Sequence, residues 1–334
     1  MLAGNKDWKK SKEELERYLQ GEVIANAPLK DHTTWRIGGP ADLLVLPRSW
    51  EDIKTCFSWA GQYEIPVTVI GNGSNILVLD QGIRGLVIKT SAHFNNIEVK
   101  EDALVVDAGA KLPLLARKAA EHSLSGLEFA IGIPGTVGGA ILMNAGAEGD
   151  NIGELVEKVW FFKPPEQMRE LEPERLEFGY RYSSLQKENG IVIRAVLRLK
   201  AGSRSQIEEK MRENLARRKR VQPVDQPSAG SVFKNPSQKP AWYFIEKAGA
   251  KGLRRGDAKV SEKHANFIVN CGNARAEDVL NLVREVQLLV ERRFGIWLEP
   301  EIKVLGEGSH SSGGDAGGKV HNCGGEPPDR YGNH

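Results

Sequence analysis

A short apolar run, Pro66–Ile70, passes directly into Gly71-Asn72-Gly73-Ser74-Asn75. A second glycine-rich run, Gly132-Ile133-Pro134-Gly135-Thr136-Val137-Gly138-Gly139, follows later, with Met143-Asn144-Ala145-Gly146-Ala147 just behind it. Nothing else in the chain restricts the fold as strongly. Residues without Cβ let the backbone approach a ligand closely, and the amides of 71–75 with the Ser74 hydroxyl have the chemistry to line a diphosphate. Neither run has the G-x-G-x-x-G form that opens a helix after a first strand, so a doubly wound dinucleotide fold is poorly supported. Taken singly, each run reads as a turn. Taken together in one alternating strand/helix region, they leave a pair of turns and a nucleotide-type cofactor cradle both open.

The surrounding pattern is mixed. Trp50–Tyr63 carries Ile53, Cys56, Phe57 and Ala60 on one helical face, and Lys111–Glu121 does the same with Leu112, Leu115, Ala116 and Ala119. Strands are expected at Leu43–Pro47, Pro66–Ile70, Ile76–Leu79, Gly85–Lys89, Asn96–Lys100, Ala103–Ala108, Leu155–Phe162 and Ile191–Leu199. A charged helix at Ser203–Arg220, an apolar one near Trp242–Ala248, a strand at Asn266–Asn270, a long amphipathic helix at Ala276–Phe294 and a last strand at Ile302–Leu305 complete the series. Many strands with few helices argue for an α+β chain. Its 334 residues suffice for two or three domains. From Gly306 onward the sequence is almost devoid of apolar residues, and a disordered tail over 306–334 is expected.

Composition excludes more than it assigns. Forty-six Lys+Arg against 44 Asp+Glu leave a net charge of +2, which argues against a broad cationic surface for nucleic acid. The basic run Arg217–Arg220 is more simply a helix C-terminus favoured by the helix dipole, with an anionic-partner module as the alternative. Cys56, Cys271 and Cys323 form neither a disulfide framework nor a zinc site, and the seven histidines show no metal-ligand spacing, so no metal is expected. Apolar stretches are too short for a membrane span, and the charged N-terminus has no signal-peptide core. The expectation is a cytoplasmic protein, without membrane or nucleic-acid partners.

Several residues stay ambiguous on chemistry alone. Ser228–Pro236 gathers hydroxyls, Lys234 and Asn235 in a small-residue loop that also suits a plain turn. Tyr180-Arg181-Tyr182 reads as an anion clamp or as an aromatic-packed surface arginine. Glu299-Pro300-Glu301 and His264 have equally ordinary structural readings.

Six motifs in order remove that ambiguity. Thr33-Thr34-Trp35-Arg36-Ile37-Gly38-Gly39, Gly71–Asn75, Gly132–Gly139, Tyr180-Arg181-Tyr182-Ser183, Gly230-Ser231-Val232-Phe233-Lys234-Asn235-Pro236 and Leu298-Glu299-Pro300-Glu301 resemble the UDP-N-acetylenolpyruvoylglucosamine reductase family. The likeness runs from about Leu29 to Leu305. The glycine runs are shared with the wider vanillyl-alcohol-oxidase-like flavoproteins; the Gly-Ser-x-Phe-Lys-Asn-Pro loop is the specific part. The resemblance implies a two-subdomain FAD-binding fold of that (PCMH-type) class plus a C-terminal α+β substrate-binding domain. The expected boundaries are an N-terminal helical extension at 1–28, FAD-binding subdomains at 29–90 and 91–202, and a substrate-binding domain at 203–305. The direct run from Arg181 to the strand at Ile191 matches the shorter family type, which lacks an extra substrate-closing loop.

The same resemblance implies the chemistry. NADPH reduces FAD, and enolpyruvyl-UDP-N-acetylglucosamine then accepts hydride at its methylene carbon to give UDP-N-acetylmuramate for peptidoglycan. Negative charge grows at the carbon next to the carboxylate, where Arg181 and a protonated Glu301 match the stabilising positions. Ser231 matches the proton donor, Tyr180, Lys234, Asn235 and His264 fall on the substrate side, and a monomer is expected. For FAD, the implied contacts are Arg36, Ile37, Gly71, Asn72, Gly73, Ser74, Asn75, Gly132, Ile133, Pro134, Gly135, Thr136, Gly138 and Gly139. A related flavoenzyme acting on an alcohol or sugar lactone is the alternative.

Overall fold

The structure is a computed structural model, and it describes residues 6–165 and 167–307. Those residues form two compact units that cut across the order of the chain. One comprises 6–27, 41–72 and 85–220; the other comprises 28–40, 73–84 and 221–307. The expected tail lies outside the described residues except for Gly306 and Glu307, as do Cys323 and His321.

The first unit holds two sheets. A four-stranded sheet runs in the order Glu22–Pro28, Pro40–Leu46, Ile83–Lys89, Val67–Ile70, its last pair parallel. A five-stranded antiparallel sheet runs Gln167–Leu171, Val156–Lys163, Ile191–Arg198, Ala103–Asp107, Ile97–Lys100. Helix Trp50–Gln62 starts where Ser49 Oγ accepts the Asp52 N–H at 3.1 Å, a side-chain N-cap. Its Cys56 is fully buried, as the helical spacing requires, and burial pushes the thiol pKa up. Helix Leu112–Glu121 packs Leu112, Leu115, Ala116 and Ala119 into the core beneath the five-stranded sheet.

Three of the elements that sequence patterning missed bear on the site and its sheets. The half-polar stretch after helix Trp8–Glu16 is strand Glu22–Pro28, and charged Gln167–Leu171 is an exposed edge strand. The third lies inside a glycine run: Val137–Met143 is a helix. Two glycines at its start lower its intrinsic propensity. Tertiary packing overrides this, burying Val137, Ala140 and Ile141 in the core and seating Gly138 where a Cβ would lie 2.9 Å from that of Ala108.

The second unit has one core, with Trp35, Leu77, Phe233, Val260, Val279, Leu282, Val283 and Val286 among its residues. Its longest helix spans Ala276–Phe294, as the amphipathic pattern predicts. The Asp80 carboxylate accepts the Ala276 and Glu277 N–H groups at 2.9 and 3.2 Å and caps its start, while Gly295, at φ +66°, ends it. Ile76–Val78 pairs in parallel with Lys303–Leu305, and Ala258–Val260 pairs antiparallel with Ile268–Asn270. Among the described residues, no helix is long and apolar enough to cross a membrane, and no group of His, Cys, Asp and Glu is suited to hold a metal ion.

Candidate active site

In the first unit the two glycine runs meet. Asn72 Nδ2 donates to the Pro134 carbonyl at 2.7 Å, and Ser91 Oγ donates to the Gly71 carbonyl at 3.1 Å. A Cβ on Gly71 would collide with Oγ1 of Thr136, so only glycine permits this approach. Thr136 is buried at the start of the Val137–Met143 helix, and Pro134 and Gly139 are exposed. Glycine-lined backbone with a threonine hydroxyl, apposed across two distant chain segments, fits a diphosphate-bearing cofactor. Gly132 rests on the Arg218 side chain, a half-buried guanidinium whose pKa is lowered by desolvation and partly restored by Glu148. Its neighbour Arg217 pairs with Glu148.

Arg181 lies in the same unit, in the tight turn Gly179–Tyr182. The turn is closed by Gly179 N–H to Tyr182 O at 3.0 Å and the reverse bond at 3.2 Å. Arg181 itself sits in the left-handed region at φ +54°. Its Nη2 donates to the Gly146 carbonyl at 3.1 Å, and its guanidinium lies 5.2 Å from the ring centre of Tyr180. The arginine is thus packed on an aromatic ring, as the second reading of the Tyr-Arg-Tyr motif expects, and is fixed in direction.

In the second unit, the loop carrying Ser231 pairs with the segment carrying Glu301. Glu301 N–H donates to the Val232 carbonyl at 2.7 Å, so the residue beside Ser231 is held against Glu301. Ser231 bridges Phe267, and Phe233 bridges Pro300. Buried Asn266 locks the loop from behind, accepting the Phe233 N–H at 3.0 Å and donating to the Phe233 carbonyl at 2.8 Å. Lys234 pairs with Glu299 at 2.6 Å. Asn235 Oδ1 accepts the Ala241 N–H at 3.0 Å, at the start of helix Ala241–Lys247.

His264 lies in the turn before strand Ile268–Asn270, with its Nδ1 accepting the Asn266 N–H at 3.3 Å and its ring edge-on to Phe267, 4.9 Å between centres. Desolvation lowers its pKa; a backbone hydrogen bond opposes this and Lys251 reinforces it. Lys303, which sequence reasoning passed over, is a partly desolvated ammonium with a lowered pKa, pushed further down by Lys234 and back up by Glu299. Its signal was available: on an alternating segment, Lys303 shares a face with Glu301, two residues away.

The remaining motif residues surround the start of this unit. Buried Trp35 donates from Nε1 to the Ile268 carbonyl at 2.9 Å, and Thr34 Oγ1 donates to the Ser228 carbonyl at 2.7 Å. Arg36 is exposed at φ +56° within a loop closed by Thr33 Oγ1 donating to the Ile37 carbonyl at 2.9 Å. Asn75 Nδ2 donates to the Glu301 carbonyl at 3.2 Å, and the Lys303 N–H donates to the Asn75 carbonyl at 3.0 Å. Gly73 and Asn75 thus belong with the Ser231–Glu301 unit, and Gly71 and Asn72 with the Arg181 unit. A cavity of about 1290 Å³ in the first unit, lined by Trp50, Asp107, Trp160, Arg194 and Arg198 among others, contains none of these residues.

An α+β chain with apposed glycine segments in one unit and a Ser/Glu/Lys cluster in the other has the parts of a flavin-dinucleotide protein. Residues 41–163 match the FAD binding domain family, and residues 222–305 match the family described as UDP-N-acetylenolpyruvoylglucosamine reductase, C-terminal domain. Curated relatives carry the same reductase name. One from Caldanaerobacter subterraneus subsp. tengcongensis is 46% identical, covering 86% of this chain and 95% of its own. One from Bacillus subtilis is 43% identical, covering 88% and 97%. The crystal structure of the Thermus caldophilus reductase superposes with a TM-score of 0.74 at 42% identity, covering 86% of this chain and 99% of that one. The chain belongs to the UDP-N-acetylenolpyruvoylglucosamine reductase family.

Proposed function

We propose that this protein reduces enolpyruvyl-UDP-N-acetylglucosamine to UDP-N-acetylmuramate for peptidoglycan synthesis, using NADPH as reductant, and that it works in the cytoplasm. Bound FAD supplies the hydride that adds to the methylene carbon of the substrate. The chain's own residues deal with what that addition creates. Arg181, fixed in direction by Gly146 and Tyr180, places a permanent positive charge for the electron density that grows beside the substrate carboxylate. The Glu301 carboxyl shares that task. Ser231 donates the proton that saturates the neighbouring carbon; a serine hydroxyl is a weak acid, so its use demands a strongly basic partner and close positioning. Lys234, with Asn235, Tyr180 and His264, holds the substrate, the ammonium of Lys234 meeting the diphosphate.

The observation that supports this reading is the 2.7 Å bond from Glu301 N–H to the Val232 carbonyl, which joins the loop carrying Ser231 to the segment carrying Glu301 from opposite ends of the unit's sequence. Purified protein is expected to be yellow. Under anaerobic conditions NADPH should bleach the flavin absorbance, and the enolpyruvyl substrate should restore it. A bleached protein reoxidised by an alcohol-derived or lactone substrate pair, and not by the enolpyruvyl ether, overturns the assignment.

A further inference from the structure

We propose that Asn144 is a positioning residue for Arg181: its carboxamide, set at the left-handed end of helix Val137–Met143, fixes the turn that aims the guanidinium. This rests on the reading above that Arg181 faces the developing charge. Arg181 stands at φ +54°, a conformation that residues with a Cβ seldom adopt and that surrounding contacts must hold. The contacts converge from one segment. Asn144 Nδ2 donates to the Gly179 carbonyl at 2.9 Å, the same oxygen that accepts the Tyr182 N–H across the turn. Asn144 Oδ1 accepts the Gly153 N–H at 3.0 Å, so the amide cannot rotate without losing both partners. Fully buried Ser183 and half-buried Gln186 both donate to the Leu142 carbonyl at 2.9 Å, and Gln186 also donates to the Arg181 carbonyl at 3.0 Å.

The guanidinium is anchored to this segment as well, through the Gly146 carbonyl. Asn144, at φ +42° and ψ +57°, is the residue at which the chain leaves the helix toward Gly146. Backbone and head group of Arg181 are therefore both referenced to Leu142–Gly146, and Asn144 is the joint between them. Asn144 does not touch the reacting atoms in this scheme; it acts only through Arg181.

The variant that isolates this role is Asn144→Gly, because glycine accepts the left-handed backbone and removes only the carboxamide. In the cofactor-free protein, hydrogen exchange at the amides of 179–182 is expected to quicken at least tenfold, with strand Ile191–Arg198 unchanged. In the loaded enzyme, reduction by NADPH should stay within about twofold of the parent, while reoxidation by the enolpyruvyl substrate slows at least tenfold, in kcat more than in KM. Combining Asn144→Gly with Arg181→Lys should slow reoxidation little beyond Arg181→Lys alone, since both changes remove the same function. Asn144→Asp keeps the acceptor for Gly153 and loses the donor to Gly179, and should behave like the glycine variant. Slowings that multiply in the double variant, equal loss in both half-reactions, unaltered exchange at 179–182, or full activity in Asn144→Asp would each overturn the proposal. An Arg181→Lys enzyme that reoxidises as fast as the parent instead overturns the assignment of Arg181 itself, and the positioning role with it.

Discussion

At the scale of single residues, Ser231 and His264 make opposite demands on their surroundings. Ser231 follows Gly230, whose φ of +76° turns the chain into the loop, and it is pinned through its bridge to Phe267. Replacing it with alanine leaves the backbone intact and removes the proton. Ser231→Ala is therefore expected to be reduced by NADPH at nearly the parental rate and to turn over the enolpyruvyl substrate about 10²–10⁴-fold more slowly. Equal loss of both steps, measured by stopped-flow absorbance, would contradict the assigned role. His264 is held neutral by burial, with its pKa depressed below the ordinary 6.5. In the unfolded chain the ring binds a proton more readily, so its contribution to stability is present above pH 6.5 and is lost as pH falls through the depressed native value. Urea denaturation midpoints should decline on going from about pH 7.5 to about pH 5.5, and His264→Gln should flatten that decline. An unchanged slope in the variant would assign the acid sensitivity to other groups.

At the scale of elements, the helix Val137–Met143 and the turn at Gly71 form one construction. The helix is too short and too rich in glycine to be stable alone; it exists because its apolar face is buried and because Gly71 lets Thr136 come close. Gly71→Ala adds a methyl with nowhere to go and should cost about 1–3 kcal/mol, the usual range for overpacking. Thermal melts of the apoprotein check this, and Thr136→Ala in the same chain should return much of the loss by removing the colliding hydroxyl. If the single variant melts like the parent, the two segments are not in the contact described. Loop 33–37 is governed similarly. Trp35 is fully buried and donates to the Ile268 carbonyl, so Trp35→Phe leaves a buried acceptor unpaired and should cost about 1–3 kcal/mol, read as a lower urea midpoint.

At the scale of the whole molecule, the chain passes between its two units several times, since 28–40 and 73–84 fold with 221–307. Glycine run 71–75 lies on one such crossing: Gly71 and Asn72 end a stretch of the first unit, and Gly73 opens a stretch of the second. Under the FAD reading proposed above, cofactor binding and folding are linked. FAD that binds only the native state raises stability by RT ln(1 + [FAD]/Kd), about 2.7 kcal/mol at a hundredfold excess over Kd. The melting temperature of the apoprotein is expected to climb steadily with added FAD; a melting temperature indifferent to FAD argues against the FAD assignment.

Much of this was legible before any coordinates. The period of Ala276–Phe294 alone determines a helix with one buried face, and the helix observed has the same limits. The ordered motifs carried the family and its candidate chemistry, because side-chain identity at a reacting centre is constrained by the reaction itself. Helix Val137–Met143, the exposed strand Gln167–Leu171, the pairing of Ile76–Val78 with Lys303–Leu305 and the left-handed Arg181 were not legible. The strand is an exposed edge with no apolar alternation to mark it, and the others are stabilised by partners distant in the chain, which local patterns do not record. Asn144 shows the division most clearly. In sequence it is a polar residue amid small ones, and only the fold, by bringing Gly179 and Gly153 to its two amide atoms, gives it work to do.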